Sequence, residues 1–178
     1  VFLPFKDAKR DVDYSGEVVD GETFLNERLG PSCYVVMFIL RRDLIYSGQS
    51  SNIQHNTSDI AQRVLFTPGI YFEDTDWTPR MLLRAKRVAS TDLVVYNYLW
   101  REGSITLCQK DIAKQRKQLQ DKMGLLVRLN QWGNTVADRR WFGSMISSLV
   151  VNIVGMLAGS FYAERREYIK QIKSLGIL

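Results

Sequence analysis

Residues 66–106, FTPGIYFEDTDWTPRMLLRAKRVASTDLVVYNYLWREGSIT, constrain the fold more than any other stretch. Pro68 and Gly69 punctuate the start of a short aromatic and β-branched run over 69–72, which favours a pleated strand. Thr75 or Asp76 can cap a following helix in which Trp77, Met81, Leu82 and Ala85 share a face, with Lys86 and Arg87 near its carboxyl-end dipole. A second run, 92–99, is rich in strand formers such as Val94, Val95, Tyr96 and Tyr98 and empties into a loop of Arg101, Glu102, Gly103 and Ser104. A strand-helix-strand order of this kind predicts an α/β fold, with the pair Glu73-Asp74 at a strand-to-helix junction.

The remaining chain is arranged around that unit. Its 178 residues, 46% hydrophobic, suffice for one core and a helical appendage. Residues 1–5 form an apolar run broken by Pro4 that fits a strand, and 6–21 are polar with turn residues. Residues 23–29 have Phe24, Leu25 and Leu29 at helical spacing before the Gly30-Pro31 stop. Residues 34–40, YVVMFIL, are continuously apolar and predict a strand covered on both faces. A polar loop over 46–56 precedes Thr57-Ser58-Asp59, which offers cap chemistry for a brief helix over 60–64. Beyond 107 no further strand signal appears. Residues 110–130 predict a helix burying Ile112, Leu119, Met123, Leu126 and Leu129. Residues 141–163 are uncharged over about the length that crosses a bilayer, between Arg139-Arg140 and Glu164-Arg165-Arg166. Asn152, the serines and the glycines in that run favour a membrane-surface or bundle helix over a spanning one.

The formal charge of +5 and pI near 9.3 favour polyanionic neighbours. Cys33 and Cys108 have neither the number nor the spacing of a disulfide framework or zinc site, which points to reduced thiols and a cytoplasmic location. The amino terminus lacks the long apolar run of a signal peptide and an initiator Met, and is expected to be a cut into a longer chain.

Among the candidate sites, Glu73-Asp74 carries the sharpest chemistry, because a carboxylate at the carboxyl end of a strand faces the ligand crevice of an open α/β sheet and can serve as a general base. Asp74 reads equally as the cap of the following helix, and spacing does not separate the two. Arg101 through Thr106 offer a guanidinium, a flexible Gly and hydroxyls suited to a diphosphate, or a solvated turn. Asp11-Val12-Asp13 and Asp74-Thr75-Asp76 both have the D-x-D form of some metal sites, a form shared by many polar turns. His55 has no partner nearby in sequence and reads as a loop residue. The basic stretch 110–122 could track a phosphate backbone or form the solvated face of an amphipathic helix. It lacks the aromatic interleaving of a single-strand binder.

The run GIYFEDTDWTPRMLLRAKRV followed by VVYNYLWREGSIT resembles the second half of bacterial family 2 glycosyltransferases of the GT-A fold, especially those encoded among surface-polysaccharide genes. The resemblance extends more loosely from residue 1 into the helical tail. It implies inverting transfer of a sugar from a nucleotide-sugar donor to a saccharide or lipid-linked acceptor. Asp74 would be the catalytic base, with Glu73 shaping the acceptor pocket. Arg101 would meet the donor diphosphate with Ser104 assisting, and Trp77 and Arg80 would neighbour the acceptor. It further implies an acceptor-side half over 1–106 and a helical tail over 107–178 that rests on the inner membrane face.

Two departures matter. Many relatives carry His where this chain has Phe72, and the family's nucleotide-binding strand-loop and D-x-D metal site are not in this sequence. The divalent ion expected of the complete enzyme, Mn or Mg, therefore takes its ligands mostly from outside this chain, and the chain alone is expected to be inactive. A non-catalytic basic helical module binding nucleic acid or an acidic membrane surface is the alternative, and the resemblance itself leads to no nucleic-acid partner.

Overall fold

The structure is a computed structural model that describes residues 16–30, 33–45, 64–91 and 111–177. These belong to two compact units, one within 1–68 and 73–98 and the other within 69–72 and 99–178.

In the first unit, helix α1 spans Gly21–Glu27 because Asp20, extended at φ −75 and ψ 168, turns its carboxylate onto the Thr23 N–H at 2.8 Å. Phe24 and Leu25 are buried on its inner face, with Leu29 just beyond its end. Helix α2 is one turn, Arg42–Ile45. Helix α3, Glu73–Leu82, buries Trp77, Met81 and Leu82, and Ala85 follows into the same core. Pro79 sits within α3, where it has no N–H for the carbonyl one turn back.

Helices α1 and α3 pack together. The amino end of α1 lies on the carboxyl end of α3: Gly21 N–H donates to the Ala85 carbonyl at 2.8 Å, and Val19 and Val88 exchange both backbone hydrogen bonds in a single antiparallel bridge. The approach is so close that a Cβ on Gly21 would stand 1.7 Å from the Leu82 carbonyl oxygen.

In the second unit, Asp111 caps α4, Ile112–Gly133, by accepting from the N–H groups of Ala113 and Lys114. Helix α5, Arg140–Ala158, packs along it through Phe142, Ile146, Val150, Ile153 and Leu157, which recur every three or four residues and so form one buried stripe. A 3-10 turn, Tyr162–Glu164, leads into α6, Arg165–Ser174, whose Ile172 is fully buried. Arg116 of α4 fastens the turn by a 2.6 Å ion pair to Glu164.

The four-residue segment 69–72 belongs to this unit because α4 grips it. Asp121, buried and paired with Lys117 at 2.6 Å, accepts the Tyr71 N–H at 2.9 Å. The Lys122 ammonium lies 5.0 Å from the centre of the Phe72 ring, and Phe72 takes a left-handed φ of 65.

The expected α/β architecture, with its GT-A sheet, is not what these residues form. Among the described residues 63% are helical and none is in a strand. Residues 34–40 fail as a strand because a 3-10 turn, Val35–Met37, interrupts them, and Tyr34, Val36, Met37 and Ile39 are exposed rather than covered on both faces. Residues 69–72 fail because the Tyr71 N–H is taken by a side chain and Phe72 has left extended φ. Helix α3 begins at Glu73, ahead of the expected caps Thr75 and Asp76, and Ile112, expected to be buried, is exposed at the start of α4. The expected strands over 1–5 and 92–99, the loop over 46–56 and the helix over 60–63 lie outside the described residues.

Because backbone atoms of α3 occupy the space a methyl group would need, Gly21→Ala is expected to destabilise the first unit by about 3 kcal/mol, the upper end of what overpacking costs. Urea unfolding checks this, and an unchanged midpoint would contradict the close approach.

Candidate functional site

The first turn of α3 places the acidic pair side by side at the positive end of the helix dipole, where negative charge is favoured. Glu73 is exposed and Asp74 half-buried. Asp74 lies within the helix, so it does not cap it. Its Oδ1 accepts from the N–H of the next residue, Thr75, at 2.8 Å, and more distantly from the Thr75 hydroxyl. Burial nevertheless pushes the Asp74 carboxyl above its ordinary value of 3.8, the charge of Glu73 pushes it the same way, and the Thr75 bonds only partly offset them. The result is a carboxylate that holds a proton more readily than a free aspartate does.

Cys33 shares this environment. Its thiol is pushed up to about 12, first by burial and then by the charge of Asp74, so it stays protonated at neutral pH and is no nucleophile. The Cys33 carbonyl accepts the Thr78 hydroxyl at 2.9 Å, which ties its backbone to the buried side of α3.

The other expected site residues on this helix have different roles. Trp77 is 2% exposed, donates its indole N–H to the Val64 carbonyl at 2.8 Å and stacks on Phe66 with ring centroids 4.9 Å apart. Arg80 reaches the Asp76 carboxylate at 2.7 Å, the Leu65 carbonyl at 2.9 Å and the Asp76 carbonyl at 3.0 Å. Both residues, expected beside an acceptor, are built into the packing of α3, with their polar groups engaged by the protein itself. Asp76, 1% exposed, also accepts the Thr67 hydroxyl at 2.7 Å. Its carboxylate is occupied, so Asp74-Thr75-Asp76 does not behave as a D-x-D metal pair.

Nothing in the sequence marks Thr67 and Cys33 as partners of α3, or Thr78 as the side chain that ties Cys33 to it. Arg101, Ser104, His55 and Asp11-Val12-Asp13 lie outside the described residues. Among the described residues no three His, Cys, Asp or Glu side chains cluster as metal ligands, and the divalent ion that the resemblance implies is expected to take its ligands mostly from elsewhere.

In the second unit, one helix among the described residues, Arg140–Ala158, is long and apolar enough to cross a membrane by length and composition, with a mean hydropathy of 1.7. Core helices of soluble proteins meet the same criterion, and a third of that stretch is buried here. Comparison of the chain with protein-family models, with curated proteins and with solved structures returns no match.

The raised Asp74 carboxyl has a consequence for stability. Its protonated form is favoured by folding, so the associated stabilisation is complete below the unfolded value near 3.8 and is lost as pH rises through the higher folded value. Asp74→Asn is therefore expected to unfold at higher urea than the unsubstituted chain at pH 7 and to lose that advantage at pH 3. Destabilisation at pH 7 would contradict the assignment.

Proposed function

We propose that this chain supplies the acceptor side of an inverting glycosyltransferase that moves a sugar from a nucleotide-sugar donor to a saccharide or lipid-linked acceptor. The order of motifs from Gly69 to Thr106, similar to that of family 2 glycosyltransferases, supports the reaction class. The observation that carries the assignment of a base is the Asp74 carboxyl itself: half-buried, raised by burial and by Glu73, and hydrogen-bonded among the described residues by Thr75 alone.

In this reaction Asp74 accepts the proton of the acceptor hydroxyl while that oxygen attacks the anomeric carbon. The bond from the anomeric carbon to the diphosphate oxygen breaks, the electron pair leaves with the nucleoside diphosphate, and the configuration inverts. A raised carboxyl suits this work, because a more basic carboxylate takes the hydroxyl proton further in the transition state. Glu73 keeps Asp74 basic and borders the acceptor. Arg101 and Ser104 take the diphosphate, the guanidinium offsetting the charge that develops on the leaving group.

In a catalytically complete form of the enzyme, Asp74→Asn is expected to lower transfer by about 10²–10⁴-fold, the usual contribution of a general base, while calorimetry shows unchanged affinity for the donor. Turnover like that of the unsubstituted enzyme would remove Asp74 from the role. Arg101→Ala is expected to weaken nucleoside-diphosphate binding and slow transfer together, and unaltered affinity and kinetics would exclude its contact with the diphosphate.

A further inference from the structure

The charge of this protein is segregated. Residues 111–177 hold eleven Lys and Arg against five Asp and Glu, a net +6, whereas the whole chain carries +5. The basic excess thus belongs to the helical unit, and part of it is organised. Arg166, Lys170 and Lys173 of α6 recur at i, i+4 and i+7, which puts them on one face of the helix, and all three are exposed. Among the described residues no carboxylate pairs with any of them. The nearest acids are engaged elsewhere: Glu164 by Arg116 at 2.6 Å, and Glu167 by the Gln171 amide at 3.0 Å.

Two neighbouring features favour one kind of partner. Tyr162, 57% exposed in the turn before α6, has one ring face covered by the Arg165 guanidinium, 3.4 Å from the ring centroid. A tyrosine with an apolar ring and a polar tip, clad by an arginine, suits the headgroup level of a bilayer. Tyr162 is the one exposed ring beside these cations among the described residues, short of the series of stacking platforms that a single-strand binder uses. Helix α5, which leads into this turn, has no charged residue after Arg140, so its exposed Ser144, Ser148, Val151, Gly155 and Ala158 add no repulsion and no further ion pairing.

We propose that Tyr162 together with the stripe Arg166, Lys170 and Lys173 forms a docking surface for an anionic lipid bilayer, held by charge on α6 and by the tyrosine at the headgroup level. Phospholipid headgroups of net negative charge are the ligand chemistry, and the surface works independently of sugar transfer.

Flotation of the 178-residue chain with vesicles tests it in the absence of any sugar donor, so its outcome is separate from that of the transfer assay. The chain should float with vesicles of phosphatidylcholine and phosphatidylglycerol, fail to float with phosphatidylcholine alone, and detach as salt is raised. Each lost cation should weaken partitioning about fivefold, and the triple substitution Arg166→Gln, Lys170→Gln, Lys173→Gln on the order of a hundredfold, with unchanged circular dichroism. Tyr162→Ala should weaken it further while leaving the salt dependence in place. Absence of flotation, equal binding to phosphatidylcholine alone, retention in the triple variant, or displacement from vesicles by single-stranded RNA would each overturn the proposal. Should the triple variant lose helicity, the three single substitutions are compared instead, and partitioning unaffected by all of them would overturn it as well.

Discussion

The first unit depends on one buried carboxylate. Asp76 has almost no exposed surface, and a charge so placed is tolerated only because Arg80 of the next helical turn and the Thr67 hydroxyl both reach it. Removing one partner of such a pair typically costs about 3–5 kcal/mol, since the other is left charged and buried. The same guanidinium bonds the Leu65 carbonyl, while the Trp77 indole bonds Val64, so the segment 64–67 is fastened along α3. Thr78 does the same for Cys33. Held on these sides, and met at its far end by Gly21, α3 has a defined orientation in its unit. The carboxylate at its first turn, Asp74, inherits a partly desolvated environment.

Two aspartates two residues apart therefore do opposite work. Asp76 is neutralised and structural, whereas Asp74 has no cation among the described residues and is made more basic by burial and by Glu73. In the second unit the division is spatial. The apolar stripe of α5 and the inner residues of α4 form the packed interior, Asp121 with Lys117 holds the segment 69–72, and Arg166, Lys170 and Lys173 of α6 face outward. Charge left outside a helical unit of this kind is available to a partner, and α6 concentrates it on one face.

Local signals were legible in the sequence and long-range ones were not. Helices α1 and α4 follow from apolar side chains every three or four positions and α5 from its long uncharged run, whereas the caps Asp20 and Asp111 emerge only in the structure. Their cores, Phe24 and Leu25, or Leu119, Met123, Leu126 and Leu129, are the ones periodicity selects, with Ile112 the exception because it stands in the exposed first turn. Residues 34–40 and 69–72 read as strands because β-branched and aromatic residues report a fit to a pleated, half-buried surface, and that surface needs a pairing partner which no local pattern encodes. Residues 34–40 have the composition of a buried strand and lack the covering layer, so they turn at Val35–Met37 and leave side chains exposed. Within the site, the acidic pair stood out from its chemistry. The packing contacts of Trp77 and Arg80 did not, since their partners are backbone carbonyls of 64 and 65 and the carboxylate of Asp76, contacts that only folding brings together.

The account rests on Asp74 acting as a base whose strength is set by its burial and by Glu73. The pH dependence of kcat/KM for sugar transfer, compared between a catalytically complete enzyme and its Glu73→Gln variant, tests it most directly. The acid limb is predicted to lie above the ordinary carboxylate value of 3.8 and to move to lower pH when Glu73 loses its charge. An acid limb that stays in place in the Glu73→Gln variant would contradict the account.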